Sequence, residues 1–222
     1  MIKPVYVMFE HGVSLIQKAI TIEALNEILK IGNSKNKIPV KDFGHWRNDG
    51  WKNGSTLVPY QSVDWYCDHA FNASRNQLDA DKISTALAVE PWQKLELHHD
   101  ILVTKRDLFF KGTNWVLGGA MHHLASISSV FRVEHWITND TYLQNECFRS
   151  ILLHEFGHMF GLISNPTRRD VEQSLGTHCI NKGCIMRQGL SIDVWIKHTR
   201  ERLKLKSPFC PNCVHDLQSS FI

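Results

Sequence analysis

The chain has 222 residues, of which 43% are hydrophobic and 10% aromatic, and this composition is typical of a folded protein with a substantial core. Its formal net charge of +3 is small, so nothing favours a nucleic-acid partner or a membrane partner. No secretory signal and no run long enough to span a membrane is evident, so we expect a cytoplasmic protein. In that compartment the six cysteines are expected to bind metal or to lie in the core rather than to form disulfides.

Strands and helices alternate over the first 161 residues, which favours an α/β layer. In chain order we predict a strand over 3–9, a helix from Ser14 to Gly32 with a capping box at Ser14 and Gln17, a strand over 38–43, irregular surface over 44–64, a helix over 78–90, a strand over 101–110, one or two strands over 115–133 and a helix over 141–160. Regular patterning fades after Gly161, a suitable left-handed end for the last helix. We therefore predict two subdomains, residues 1–161 and 162–222.

The last predicted helix carries the sequence His154-Glu155-Phe156-Gly157-His158. Two histidines four positions apart lie on one face of a helix, where both can bind the same metal ion. Glu155 lies about 100° around the helix from His154, so it can approach a metal-bound water without being a ligand. Zinc lowers the pKa of such a water, and a nearby carboxylate then accepts its proton. The alternative, a surface helix with two unrelated histidines, is disfavoured by the apolar residues around the motif.

A hydrolytic zinc needs a third protein ligand, and its position is less obvious. In the metzincin motif HExxHxxGxxH, Gly161 matches the glycine, but the third histidine would fall at Ser164. Serine is a very poor zinc ligand. Asp170 and Glu172 lie further along the chain and stay open as alternatives.

Cysteines downstream suggest another answer. His178 and Cys179 are followed by Cys184, Met186 and the pair Cys210 and Cys213. Here the sequence resembles the archaemetzincins, whose pattern is HExxHxxGxxHC, four residues, CxM and a later CxxC. The matching residues are His154, Glu155, His158, Gly161, His178, Cys179, Cys184, Met186, Cys210 and Cys213. The similarity covers roughly residues 75–215.

The resemblance implies a zinc-dependent metallopeptidase that acts on peptide or protein substrates and holds two zinc ions. It implies that His154, His158 and His178 bind the catalytic zinc, with Glu155 as general base and Met186 in a Met-turn beneath the ligands. The implied fold is metzincin-like α/β (α+β): a mixed twisted sheet with helices, an active-site helix and a small irregular C-terminal subdomain stapled by zinc.

The cysteines Cys179, Cys184, Cys210 and Cys213 have the number and pairwise spacing of a closed, structural zinc site. Two disulfides or four free thiols are the alternative. Cys67 and Cys147 lie outside this set, and Cys147 is expected to be a core residue rather than a nucleophile.

The sequence departs from the family pattern in one segment. An insertion of about fourteen residues lies within 162–177 and separates His158 from His178. Such an excursion is tolerable because loop-closure entropy grows only logarithmically with length. Residues 164–177 are expected either to shape specificity or to cover the cleft.

Further expectations concern residues around the active site. Gly118 to Ala120 form either a substrate-binding edge strand or a plain bulge. Arg187, His198 and His215 are candidate donors to the oxyanion, whereas the pairs at 98–99 and 122–123 are expected at the surface. A non-catalytic or latent zinc protein that uses this fold as an interaction module is the alternative function. The intact Glu155 favours the enzyme.

Overall fold

The computed structural model of the chain describes residues 3–47, 55–164 and 167–221. The helices are α1 (Leu15–Ile31), α2 (Val63–His69), α3 (Ala80–Val89), α4 (Pro91–Leu95), α5 (Phe131–Trp136), α6 (Thr141–Met159), α7 (Ile192–Arg202) and α8 (Pro211–Ser220). The strands are β1 (Val5–Phe9), β2 (Val40–Gly44), β3 (Phe71–Asn72), β4 (Gln77–Asp79), β5 (His99–Thr104), β6 (Leu108–Phe109), β7 (Gly118–Met121), β8 (Ala125–Ser129), β9 (Val171–Gln173) and β10 (Thr177–Cys179). None of the described helices is long and apolar enough to cross a bilayer.

The main sheet has five strands in the order β2-β1-β5-β8-β7. The first four run parallel, and β7 closes the sheet as an antiparallel edge strand against β8. Every residue of β1, β5 and β8 is buried, as is usual for parallel strands covered on both faces. Two smaller sheets, β3-β4-β6 and the hairpin β9-β10, complete the fold.

Alternation along the strands divides the interior into two hydrophobic clusters. On one face of β1, Val7 and Phe9 pack in the same cluster as α1 and α6. On the other face, Met8 packs with Ile83 and Leu87 of α3. The sheet is therefore sandwiched between two helical layers, and α6 is held in the larger cluster.

Helix α6 carries the motif that runs from His154 to His158. It begins after Asp140, whose side chain accepts a hydrogen bond from the backbone of Leu143, and its C-cap is Phe160. Gly161 has φ = +83°, a conformation that favours glycine, and lets the chain turn away from the helix axis. The predicted ends of this helix are confirmed.

The segment after Gly161 is more regular than its sequence pattern indicated. The hairpin β9-β10 and helices α7 and α8 form there, and Trp195, Phe209 and Leu217 join the larger core cluster. The α7 helix has a largely polar sequence. It nevertheless buries His198, Thr199 and Arg202 beside α6, in addition to apolar residues. This composition hides its periodicity.

The glycines of the predicted 115–133 strands form no bulge. Gly118 and Gly119 pair with Ser128 and Ile127 in unbroken register along β7. The last residues of that predicted segment begin α5 instead. The strand predicted over 101–110 is likewise two strands, β5 and β6.

Two expectations of surface position were wrong. His98 and His99 are buried, and so is Arg47, within the segment 44–64 that looked irregular. Residues 48–54 of that segment lie outside the described part of the chain. The Arg47 guanidinium forms ion pairs with Glu90 and with Asp100, the latter at 2.9 Å, and His98 Nε2 lies 3.1 Å from Glu90. These partners make the burial of four ionisable groups possible.

We expect His98 to make the stability of the protein fall as the pH rises. Burial lowers its pKa, but hydrogen bonds to Asp100 and Glu90 outweigh burial and raise the pKa to about 9, from 6.5 in an exposed histidine. Stabilisation from the charged ring is complete below pH 6.5 and is lost as the pH rises through 9. A shift of this size corresponds to at most about 3 kcal/mol.

Urea unfolding at about pH 6 and about pH 9.5 measures this difference. His98→Gln should lose that part of the pH dependence, whereas the exposed-site variant His135→Gln should retain it. Identical pH dependence in wild type and His98→Gln would mean that the folded protein does not hold His98 protonated.

Candidate functional site

Three histidines converge at the C-terminal end of α6. His158 Nε2 lies 3.1 Å from His154 Nε2 and 3.2 Å from His178 Nε2. Nitrogens bound to one zinc at tetrahedral angles are about 3.3 Å apart, given zinc–nitrogen bonds of about 2.0–2.1 Å. The observed spacing therefore fits a zinc ion.

The environment of these rings suits a metal ligand. Burial lowers the pKa of His154, to about 3, and also lowers the pKa of His158 and His178, so the rings are neutral at neutral pH. His154 Nδ1 donates a hydrogen bond to the carbonyl oxygen of Ile185 at 2.8 Å, since that oxygen can only accept. This bond leaves the Nε2 lone pair of His154 directed toward the other two rings.

Glu155 is next to His154 on α6, and its side chain packs against β7. A Cβ added at Gly118 would lie 2.8 Å from Glu155 Cγ and 3.1 Å from Glu155 Oε1. The absence of a side chain at Gly118 thus makes room for the carboxylate. Burial raises the pKa of Glu155 to about 8, and a nearby cation would oppose this shift.

Met186 packs against α6 between the two histidines. It is fully buried, and a Cβ added at Gly157 would lie 2.4 Å from its sulfur. Its neighbour Ile185 supplies the carbonyl oxygen bonded to His154, and Cys184 belongs to the second candidate metal site. The consecutive residues Cys184, Ile185 and Met186 therefore connect the cysteine site with the histidine site.

The second site consists of four cysteines, Cys179, Cys184, Cys210 and Cys213. The sulfur of Cys179 lies 3.8 Å from that of Cys210, and the sulfur of Cys184 lies 3.6 Å from that of Cys213. Sulfurs on one tetrahedral zinc are about 3.8 Å apart, given zinc–sulfur bonds of about 2.3 Å. The backbone N–H groups of Asn181 and Cys210 point at two of these sulfurs, each at 3.4 Å.

The two sites meet on β10. His178 and Cys179 are adjacent in this strand, and side chains of adjacent strand residues point in opposite directions. One residue therefore faces the histidines of α6 and the next faces the cysteines. Pairing with β9 at Glu172 and Val171 holds this strand in register.

A cleft of about 590 Å³ opens at the histidine site. It is lined on the β7 side by Phe110, Lys111, Thr113, Asn114, Trp115, Val116, Leu117, Gly118, Gly119 and Ala120. It is also lined by the tip of the β9-β10 hairpin and by Gln188, Gly189, Leu190 and Trp195. The hairpin tip contains Leu175 and Gly176, both with positive φ, and belongs to the segment predicted as an insertion.

The other ligand candidates lie elsewhere. Asp170 accepts hydrogen bonds from the Arg168 guanidinium at 2.6 and 2.9 Å, and Glu172 is an exposed residue of β9. Neither carboxylate belongs to the histidine group found among the described residues. His178 is the residue that the fold brings to His154 and His158.

The candidate oxyanion donors lie away from the cleft. Arg187 pairs with Glu201 at 3.3 Å, His198 is buried beside Trp195, and His215 is exposed on α8. None of the three is among the described residues that line the cleft. His122, expected at the surface, is exposed but lines the cleft, and its ring stacks on His158. The only sequence feature that could have indicated this role is its position one residue after the edge strand β7.

A third cluster of possible ligands, Glu90, His98 and Asp100, has a different explanation. Its atoms are close enough for a metal, but the Arg47 guanidinium already contacts all three residues. A cation is therefore present at the point where a metal would bind. Cys67 and Cys147 are buried outside the cysteine and histidine groups, which confirms the core position predicted for Cys147.

Two curated proteins are similar to the chain in sequence. No family model matches the chain. The archaemetzincin of Thermococcus kodakarensis is 31% identical over 121 residues, which span 52% of this chain and only 53% of that relative. The archaemetzincin of Archaeoglobus fulgidus is 31% identical over 137 residues, which span 61% of this chain and 68% of that relative.

Solved structures share the fold over nearly the whole chain. The archaemetzincin of Methanopyrus kandleri matches with a TM-score of 0.66 and 21% identity, covering 99% of this chain and 95% of its own. That of Archaeoglobus fulgidus gives 0.59 and 23%, covering 96% and 99%. A zinc-dependent peptidase of Methanocorpusculum labreanum gives 0.60 and 20%, covering 96% and 99%. These matches confirm the predicted fold class. The sequence match to the Archaeoglobus fulgidus relative, at 31% identity over 68% of that protein, confirms the predicted resemblance: the chain belongs to the archaemetzincin family.

Proposed function

We propose that the protein is a zinc-dependent metallopeptidase that hydrolyses peptide bonds in the cleft beside β7. The observation that carries the proposal is the meeting of three neutral imidazoles with the buried carboxylate of Glu155 on the lining of an open cleft. Family membership and the name of the Methanocorpusculum labreanum neighbour, a zinc-dependent peptidase, support the same class of reaction.

In this proposal His154, His158 and His178 hold the catalytic zinc, and the four cysteines hold a structural zinc. When bound, the catalytic ion supplies Lewis acidity, which acidifies a coordinated water and polarises a carbonyl group. The hydrogen bond from His154 Nδ1 to Ile185 fixes one ligand ring, and Met186 supports α6 beneath the group. The protein would thus provide three ligands, all of which line the cleft.

Glu155 is the general base of the proposed reaction. Its carboxylate accepts a proton from the attacking water and then donates it to the leaving amine. Its burial keeps its proton affinity high enough for both steps. The absence of a side chain at Gly118 leaves room for the carboxylate beside β7. Packing of α6 against β7 and β8 keeps the carboxylate in place.

The edge strand β7 offers a means of holding the substrate backbone. One side of β7 pairs with β8, and its other side carries backbone groups that no strand of the main sheet pairs within the described residues. An extended peptide can add to such an edge as a further strand. The ring of Phe110 lies over Gly119, where a Cβ would be 2.3 Å from its nearest atom, so a side chain at position 119 would displace this ring.

The alternative is a zinc-binding module without catalysis. It is favoured by none of the cleft features, because a structural site has no use for Glu155 or for an open face. Lack of hydrolysis by protein that holds both zinc ions would support this alternative.

We expect purified protein to contain about two zinc ions per chain, measured by inductively coupled plasma mass spectrometry. His178→Ala should contain about one, because two histidines and an open face bind zinc weakly. Glu172→Ala removes an exposed carboxylate opposite His178 on the neighbouring strand and should still contain two.

Two outcomes would contradict this assignment. Two zinc ions retained in His178→Ala would exclude His178 as a ligand. Three zinc ions in the wild type would indicate that the Glu90, His98 and Asp100 cluster binds metal despite Arg47.

We expect Glu155→Gln to lower kcat by about 10²–10⁴-fold, because the amide cannot accept the proton. The zinc content should not change, since Glu155 is not a ligand. Cleavage of a mixed peptide library, followed by mass spectrometry with and without chelator, measures the activity. Glu172→Gln makes the same chemical change at an exposed site and should leave turnover unaffected. Full turnover in Glu155→Gln would remove this residue from the mechanism.

A further inference from the structure

Arg168, in the segment between His158 and His178, contacts the cysteine site directly. Only 7% of its side chain is exposed. Its Nη1 donates to Asp216 at 2.7 Å and to the sulfur of Cys213 at 3.3 Å. Its Nη2 donates to Asp170 at 2.6 Å and lies 3.6 Å from the sulfur of Cys179.

These contacts join three parts of the chain. Asp170 immediately precedes β9, Cys179 is the last residue of β10, and Cys213 and Asp216 lie on α8. A guanidinium has five N–H donors in one plane, so it can contact all four groups at once, which a lysine ammonium cannot do in the same geometry.

Charge explains why a cation is needed at this position. Four thiolates around one zinc carry a net charge of −2, and the carboxylates of Asp170 and Asp216 add to this negative charge. Asn181 and Asn212 also donate to Asp170, at 2.7 and 3.1 Å, but they are neutral. Among these neighbours Arg168 alone balances the anionic groups with a positive charge.

The position of His178 depends on the same contacts. Asp170 accepts the backbone hydrogen bond of Ile180 at its carbonyl oxygen, and β9 pairs with β10 from there to the hairpin tip. Whatever holds Asp170 and Cys179 to α8 therefore also fixes the strand from which His178 projects.

We propose that Arg168 is a positioning residue that couples the two metal sites, because it fixes the β9-β10 hairpin against the four-cysteine site. The proposal rests on the proposed function in that it assumes metal at both sites. In this proposal, metal binding at the cysteine site affects the position of His178 and of Leu175 in the cleft wall through residues 168–177.

The test compares Arg168→Gln with Arg169→Gln. Arg169 is the adjacent residue, has the same chemistry and is exposed, so it serves as a matched control. The first readout is the rate at which each zinc-loaded protein releases zinc to a chromogenic chelator. The second is the cobalt–thiolate absorption of the cobalt-substituted proteins, which reports on the cysteine site alone. The third is kcat/KM with a peptide substrate.

Loss of a residue that supports metal ligands from outside typically lowers metal affinity or activity by 10–100-fold. We expect Arg168→Gln to release the cysteine-site zinc about 10-fold faster or more, with an altered cobalt–thiolate band and a lower kcat/KM. Arg169→Gln should match the wild type in all three readouts. Equal release rates and equal cobalt spectra in the two variants would overturn the proposal.

A second variant covers the case in which Arg168→Gln does not fold. Arg168→Lys keeps the charge but loses the planar donors, and it should show faster zinc release and an altered cobalt spectrum to a lesser degree. Behaviour identical to the wild type would overturn the coupling through the guanidinium. Failure of the proposed function has a different signature: wild-type protein that holds zinc but cleaves no peptide, or whose cysteines hold no metal.

Discussion

One short strand must serve two groups of candidate metal ligands, and the C-terminal part of the fold is arranged around that constraint. In β10 the side chains of His178 and Cys179 point in opposite directions, one toward α6 and one toward the start of α8. A shift of one residue would exchange them and disrupt both groups. The backbone hydrogen bond from Cys179 to the Met186 carbonyl, at 2.9 Å, and the pairing with β9 prevent such a shift. The adjacent histidine and cysteine of the sequence motif follow directly from this geometry.

Features whose signals lie within a few residues could be predicted from the sequence. The capping box of Ser14 and Gln17, the end of α6 before Gly161, and the shared face of His154 and His158 depend on local backbone geometry alone. Local geometry could not predict the third histidine, because His178 is 20 residues from His158 and only a motif could identify it. Spacing alone left the carboxylates of the insertion as equal candidates.

Features that depend on distant partners could not be predicted. Arg47 forms ion pairs with Glu90 and Asp100, which are 43 and 53 residues away in the sequence. His98 is buried in this cluster, and nothing in the sequence near His98 indicated that its ring would be buried. The α7 helix shows the same effect, since Thr199 and Arg202 are buried by hydrogen bonds to Ser150 of α6, each at 3.0 Å. A polar sequence looks exposed until its partners are known, because burial of polar groups is acceptable only when they are paired. His122 was missed for a related reason: its role depends on the cleft beside β7, which forms only when α6 packs there.

Burial has one further consequence at the histidine site, where it acts on acids and bases in opposite directions. It disfavours the charged form of every group, so the histidines stay neutral and the proton affinity of Glu155 rises. The Nε2 atom of His158 then lies 3.1 Å from that of His154 and 3.2 Å from that of His178, beside a carboxyl group, an arrangement that few hydrogen bonds can satisfy. A divalent cation accepts a lone pair from each of the three rings and favours the ionised form of the carboxylate, so it relieves both costs at once. The apolar packing that holds α6 in the core therefore keeps the three rings neutral, as the proposed metal site requires, and raises the proton affinity of Glu155, the general base of the proposed reaction.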